Sequence, residues 1–362
     1  MLYYLLYPLH KFISVFNLFR YITFRAAMAA LTAFLISLIF GPWVIKILIH
    51  FKIGENIRKE DSVQLYQLHA KKQDTPTMGG ILILMALFFS TFLWADIFNK
   101  HILLVSFVTL WLGITGFIDD YLKHIHKKSK GLRPLAKLSS QILLGFVLGI
   151  ILVLTPDSST KLDMPFLKDI TIDLGIFYLL FVALVITGSS NAVNLTDGLD
   201  GLAIGIVIMV AVAFSVLSYV SGHIRFANYL WIPYIRGSGE LTVFCAGIVG
   251  AGLGFLWFNC HPASVFMGDV GSLALGGALG TVALLIKKEM LLGIVGGIFV
   301  LEALSVILQV TSFRLFKKRI FKIAPLHHHF QFLGWAENKV IVRFWILAAL
   351  FALLTLVTLK IR

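Results

Sequence analysis

Apolar residues run along this chain in long blocks, separated by short stretches where charges, Gly and Pro collect. Ten blocks are about as long as a bilayer crossing requires of a helix, roughly 17–25 residues. They cover about 26–49, 78–95, 102–118, 138–154, 174–190, 201–220, 241–258, 270–286, 290–313 and 340–359. The first contains Pro42 and Lys46 and is expected to bend or to emerge early. The ninth is long and open to a break. The first 20 residues are moderately apolar but have neither a charged start nor a clear cleavage site. They read as an interfacial segment, not a cleaved signal peptide. The pattern predicts an all-α polytopic integral membrane protein: one transmembrane domain over 1–362, about ten helices, and both termini on one side.

Composition supports this class. Of 362 residues, 59% are hydrophobic and 14% charged, where soluble domains carry about a quarter charged. Disorder, collagen, coiled coils and disulfide scaffolds are excluded by the same numbers. The net charge of +13 would suggest nucleic acid in a soluble chain. Here basic loops that orient helices in a bilayer account for it, and no nucleic-acid partner is expected. Of 31 Lys and Arg, 19 fall in the loops at about 50–77, 119–137 and 314–339 and on their flanks. Those loops, together with 191–200 and 259–269, are therefore expected in the cytoplasm, with both termini outside. Cys245 and Cys260, about 22 Å apart along one helix, offer neither a disulfide nor a metal site.

The acids change the picture from architecture to chemistry. Asp119 and Asp120 end the third block, Asp197 and Asp200 lie between the fifth and sixth, and Asp269 begins the eighth. All fall on the face that Lys and Arg alone had assigned to the cytoplasm. Ionisable groups at a membrane are costly and mark functional sites. Asn191, Asn194, Asp197 and Asp200 recur every three residues, so on a helix or tight turn they share a face. Amides with carboxylates suit a sugar, a base edge or a hydrated cation; a polar loop with an Asp N-cap is the plainer reading. Adjacent acids are unfavourable at a helix C-terminus, so Asp119 and Asp120 require compensation from Lys123 or a divalent metal. Several carboxylates without a cysteine cluster point to a hard cation such as Mg²⁺. Zinc fits poorly. Three consecutive histidines, His327, His328 and His329, cannot all turn to one ion; they suit phosphate donors or acid–base groups. Lys71, Lys72, Thr75, Thr77, Gly79 and Gly80 could form an anion cradle, or a turn beside retention lysines. Glu302, Ser305 and Gln309 form a stripe assigned to interhelical packing and hydrogen bonding, with no catalytic role.

Six stretches are distinctive: Thr75-Pro-Thr-Met-Gly-Gly80, Gly116-Phe-Ile-Asp-Asp-Tyr121, Asn191-Ala-Val-Asn-Leu-Thr-Asp-Gly-Leu-Asp-Gly-Leu-Ala203, Phe255-Leu-Trp-Phe-Asn259, Val265-Phe-Met-Gly-Asp-Val-Gly-Ser-Leu273 and Ala324-Pro-Leu-His-His-His329. Through them, in order from about residue 20 to the C-terminus, the chain resembles the phospho-N-acetylmuramoyl-pentapeptide transferase (MraY) family. That family lies within the polyprenyl-phosphate N-acetylhexosamine-1-phosphate transferase superfamily. The resemblance implies transfer of phospho-MurNAc-pentapeptide from UDP-MurNAc-pentapeptide to undecaprenyl phosphate, giving lipid I and UMP. The setting it implies is the cytoplasmic face of a bacterial inner membrane, with Mg²⁺ and a homodimer. It also implies that Asp269 ligates the metal, that Asp119 and Asp120 are catalytic, and that Asp119 is the base or phosphate activator. Lys72, Asn194, Asp197, Asp200, Asn259 and Phe266 would line the nucleotide and diphosphate region, with His327 to His329 on the substrate or its phosphates. Gln331 stands where many relatives carry an acid. The sister reading is UDP-GlcNAc:undecaprenyl-phosphate GlcNAc-1-phosphate transferase, against which the histidine triplet argues. A transporter would place its acids near the midplane.

Overall fold

The computed structural model describes residues 1–51, 75–124, 131–155, 159–164 and 171–360. Its helices are α1 (Leu2–Leu6), α2 (Ile22–His50), α3 (Gly80–Trp94), α4 (Lys100–His124), α5 (Pro134–Leu154), α6 (Tyr178–Thr196), α7 (Leu202–Ser221) and α8 (Ile224–Leu230). They continue as α9 (Glu240–Asn259), α10 (Gly268–Leu285), α11 (Glu289–Val295), α12 (Gly297–Phe316), α13 (Leu326–Phe332) and α14 (Glu337–Val357). A two-stranded antiparallel hairpin, β1 (Lys161–Asp163) with β2 (Thr171–Asp173), links α5 to α6, with Leu162 opposite Ile172.

Among the described residues nine helices are long and apolar enough to cross a membrane, and α3 is shorter. The second predicted block began at 78, but the helix begins at Gly80. Residues before it are drawn into pairing with the loop ahead of α10: Phe266 N–H donates to Pro76 O, Gly79 N–H to Phe266 O and Gly80 N–H to Met267 O, each at 2.8 Å. α3 nonetheless runs between the same two ends as α9. At one end Gly79 meets Phe266; at the other Arg25, bound to Glu240, also donates to Trp94 O. Counting α3 gives the expected ten.

The ninth block breaks at Gly296, between α11 and α12. The first helix continues through Pro42 to His50 and does not end early. The N-terminal residues form α1 and two short 3-10 turns, and the Met1 amine donates to Phe92 O at 2.9 Å, beside the end of α3. At the other terminus the Lys360 ammonium lies 3.8 Å from the centroid of the Tyr229 ring, on the same end of the bundle.

The centre of the bundle is α10. It is the most enclosed span, 89% of it buried, and it packs on α3, α4, α6 and α7. Its sequence explains this. Small residues dominate Gly268–Leu285, and without a hydrophobic drive between helices in lipid, close backbone approach supplies the packing. Gly116 of α4 lies against the backbone of Asp269, where a Cβ would overlap its carbonyl. At the end where α9 begins, Arg25 of α2 makes a bidentate pair with Glu240 at 2.7 and 2.6 Å, with both side chains buried. Charge-assisted pairing of this kind is what lets such groups sit inside a bundle.

Candidate active site

Three helix termini meet at the end of the bundle opposite Arg25 and Glu240. On α4, Gly116, Asp119, Asp120 and Lys123 follow at helical spacing, so one face carries them all toward α10. On α10, Asp269 sits in the first turn, where the helix dipole favours an anion. On α5, Lys137 is the fourth residue, at the end of the first turn.

Lys123 and Lys137 bridge the carboxylates. Lys123 Nζ lies 2.8 Å from both Asp119 Oδ2 and Asp269 Oδ2. Lys137 Nζ lies 2.7 Å from Asp269 Oδ2 and 3.3 Å from Asp119 Oδ2. The outer oxygens are fixed as well. Leu132 N–H donates to Asp119 Oδ1 at 2.7 Å, and Asn194 Nδ2 donates to Asp269 Oδ1 at 2.6 Å and to Ser272 Oγ at 2.8 Å.

Asp120, almost wholly buried, resolves its poor position at the end of α4 through a neighbour. Its Oδ2 accepts Val270 N–H at 3.2 Å, so it faces the positive end of α10. Gly268 has φ +72, and a Cβ there would press on Asp120 Oδ2 and Thr77 Oγ1. Thr77, buried, therefore closes the same corner.

The arrangement is a set of carboxylate oxygens with two ammonium groups and no thiol. It already holds a cation between Asp119 and Asp269, in the form of Lys123. Such a donor set suits a hard, oxygen-seeking ion and the oxygens of a phosphate.

The remaining sequence candidates separate. Asn191 faces away from the carboxylates: Nδ2 donates to Gln141 Oε1 at 2.7 Å and to Thr187 O at 2.8 Å, tying α6 to α5. Asp197 caps the end of α6. Asp200 accepts Ala263 N–H at 3.1 Å and lies 2.9 Å from His261 Nδ1. The period of three in this segment thus serves three places, because α6 ends before Asp197. Asn259 is a buried strut that accepts Gly201 N–H at 3.0 Å and donates to Val265 O at 2.8 Å. Phe266 is half-buried in the loop paired with Pro76 and Gly79. Lys72 and the basic stretch 125–130 lie outside the described residues.

The histidines turn to different partners, as adjacent residues on one helical turn must. His327 is buried, its N–H donating to Glu302 Oε1 at 3.1 Å, with Nδ1 3.2 Å from Glu302 Oε2 but out of hydrogen-bond alignment. Its Nε2 edge abuts Gly198, next to Asp197. His328 Nδ1 pairs with Gln331 Oε1 at 2.9 Å, and His329 Nδ1 accepts Lys322 N–H at 3.2 Å.

Sequence reasoning missed two groups here. Lys137 had been counted only among the basic residues of its loop, and Ser272 carried no signal. Glu302, expected to serve interhelical packing and hydrogen bonding, does so by accepting His327 N–H from α13. Asp200, His261 and Glu337 also present ligand atoms within 4.8 Å of one another. That set includes a ring nitrogen, and His261 is already engaged with Asp200, so it suits Mg²⁺ less than the carboxylates around Asp269.

The comparisons bear on the whole chain. The Glycosyl transferase family 4 model matches residues 102–287, and phospho-N-acetylmuramoyl-pentapeptide-transferase signature 1 matches residues 72–84. The phospho-N-acetylmuramoyl-pentapeptide-transferase of Desulforapulum autotrophicum is 54% identical over 363 residues, covering 100% of both chains. The chain belongs to this transferase family. Relatives of the same name from Desulfatibacillum aliphaticivorans and Koribacter versatilis are each 53% identical, again over 100% of both chains. The family's signature thus spans the Thr77 corner and ends at the fifth residue of α3, and the glycosyl transferase match contains both Asp119 and Asp269.

Proposed function

We propose that this protein transfers phospho-MurNAc-pentapeptide from UDP-MurNAc-pentapeptide to undecaprenyl phosphate, releasing UMP and forming lipid I. The observation that carries the reading is end-to-end identity of more than half with transferases of that name, in a chain whose buried carboxylates and ammonium groups meet at one bundle end. The family signature over 72–84 favours the muramoyl reaction over the GlcNAc-1-phosphate reaction.

In the reaction, an oxygen of the lipid phosphate attacks the phosphorus bearing the sugar, and the bond to UMP breaks. Two anions must approach closely, and their repulsion is large at low dielectric. Lys123 and Lys137 supply positive charge at that point, and Asp119 and Asp269 fix where the ammonium groups sit. A phosphate monoester loses its second proton near pH 6. The lipid nucleophile is thus largely ionised at neutral pH, and Asp119 has only a residual proton to take. Direct attack, without a phospho-enzyme, needs no further group.

Mg²⁺ is part of this reading. Asp269, with Asp119 and Asp120 beside it, would hold it, and it would neutralise charge on the diphosphate oxygens. The support is the all-oxygen donor set. The same reading puts this end of the bundle at the cytoplasmic face of the bacterial inner membrane, because the loops around it carry most of the Lys and Arg. It also makes the working unit a homodimer.

The test is a transfer assay on detergent-purified protein with undecaprenyl phosphate and Mg²⁺. It supplies either UDP-MurNAc-pentapeptide or UDP-GlcNAc and follows UMP and lipid product together. The proposal expects turnover of the muramoyl substrate alone, abolished by EDTA. Turnover of UDP-GlcNAc alone would move the protein to the sister reaction, and EDTA-resistant turnover would remove the metal from the account.

A further inference from the structure

A cavity of about 580 Å³ lies between α12 and the loop that returns from it to α13, and no step of the transfer uses it. One wall is a face of α12, with Val306, Gln309, Val310 and Phe313 at helical spacing and Arg314 beside them. The other is the loop, with Arg319 and Lys322. Gln309 spends its whole amide on that loop. Its Oε1 accepts Ile320 N–H at 3.1 Å and Phe321 N–H at 2.9 Å, and its Nε2 donates to Phe321 O at 3.0 Å. Ser312 Oγ donates to Lys318 O at 2.9 Å. Topological retention asks for basic residues on this side of the bilayer. It does not ask for a loop pinned to α12 by two side chains, with its cations lining one cavity.

The cavity is open and cationic. Arg314, Arg319 and Lys322 are exposed, and so are Val310 and Phe313 on the apolar wall. Among the described residues no carboxylate lines it, and neither guanidinium takes part in an ion pair. Lys322 connects it to the histidine helix: its N–H donates to His329 Nδ1 and its Nζ to Phe332 O, each at 3.2 Å. His327 in turn abuts Gly198, one helical turn beyond the Asn194 that holds Asp269. His327 stands against Glu302, and Val310 is eight residues further along α12, about 12 Å. The cavity therefore lies on the same side as the carboxylate cluster but out of bonding reach of it.

Resting on the transfer reaction proposed above, the choice of anion follows by elimination. The lipid phosphate must stand at the reacting phosphorus, and the diphosphate contains it, so neither occupies this cavity during turnover. A pentapeptide joined to the sugar by its amino end carries a carboxylate at its far end. Five extended residues span at most about 18 Å, enough to pass from His327 to the cavity. We infer that the cavity binds the C-terminal carboxylate of the substrate's pentapeptide, between Arg314 and Arg319 with Lys322 beside them. The planar guanidinium fork matches a carboxylate, and the last peptide side chains lie on Val310 and Phe313.

The experiment measures UMP release by the full-length protein in detergent, with UDP-MurNAc-pentapeptide or the same molecule carrying a C-terminal carboxamide. The wild type should show a KM on the order of tenfold higher for the amide, with kcat little changed, as loss of a charge-assisted contact in binding requires. Arg314→Gln/Arg319→Gln should raise KM for the acid to about that of the amide and leave KM for the amide where it was. Both arginines are exposed, so the double variant should fold; the comparison of acid with amide on the wild type needs no variant at all. Equal KM values for acid and amide on the wild type would overturn the inference while leaving the transfer reaction standing. A double variant that still discriminates, or that raises KM for undecaprenyl phosphate instead, would also overturn it, the latter by giving the cavity to a lipid phosphate. No turnover of either muramoyl substrate by folded wild type would remove the transfer reaction and this inference together.

Discussion

The contact most open to a clean perturbation is the one between Asn194 and Asp269. Asn194→Ala removes one amide, which donates to Asp269 Oδ1 at 2.6 Å and to Ser272 Oγ at 2.8 Å. It strands neither acceptor. Asp269 keeps two ammonium groups at 2.7 and 2.8 Å, and Ser272 Oγ still donates to Gly268 O at 2.9 Å. What is lost is the hold on the orientation of Asp269. A hydrogen bond to a charged group is worth about 1.5–3 kcal/mol. At about 1.4 kcal/mol per factor of ten, kcat/KM should fall by about 10–150-fold. Thermal unfolding in detergent should stay close to wild type. Asn194→Asp is the sharper companion: a second carboxylate 2.6 Å away meets a repulsion of about 6 kcal/mol at an effective dielectric of about 20, so its loss should exceed that of alanine. The assay is UMP release at varied UDP-MurNAc-pentapeptide. A loss below about threefold in Asn194→Ala would refute the reasoning, for it would mean that the lysines alone orient Asp269.

Three further outcomes follow from contacts elsewhere. Gly116→Ala drives a methyl group into the Asp269 backbone and should cut turnover at least about tenfold, whereas Gly188→Ala, with open space around its Cβ position, should be neutral in the same assay. Arg25→Met leaves Glu240 buried without its bidentate partner and should cost about 3–5 kcal/mol of stability, read as a lowered Tm in detergent; adding Glu240→Gln should recover part of the loss. Gln331→Glu keeps an acceptor for His328 Nδ1, now 2.9 Å from Gln331 Oε1, and turnover should stay within about threefold of wild type; a large loss would show that the site depends on the amide.

What the sequence revealed, and what it hid, follows from range. Hydrophobic blocks are local, so the spans, the break at Gly296 and the end-to-end course of the chain were all legible. The gathering of Asp119, Asp120 and Asp269 at one end was legible too, since alternation of spans fixes which ends share a side. The limits of α3 were not, because its first residues are claimed by a loop some 190 positions away, at Phe266 and Met267. The same holds for side-chain partners. Lys137 meets Asp269 across 132 positions, and Glu302 meets His327 across 25, neither with any periodic trace. The spacing of Asn191, Asn194, Asp197 and Asp200 misled in a different way. It promised a single polar face, but the helix ends at Thr196, and the side chains of Asn191, Asn194 and Asp200 go to separate partners.

The central claim is that the carboxylate cluster around Asp269 performs the transfer. Its most direct test is single-turnover release of UMP by Asp269→Asn, with UDP-MurNAc-pentapeptide, undecaprenyl phosphate and saturating Mg²⁺. Asparagine keeps the shape and an acceptor for Asn194 but removes the charge that Lys123 and Lys137 share. The account predicts a folded protein, with a Tm near that of wild type, in which UMP release is undetectable. Release at the wild-type rate from the same folded variant would contradict it and place the chemistry elsewhere.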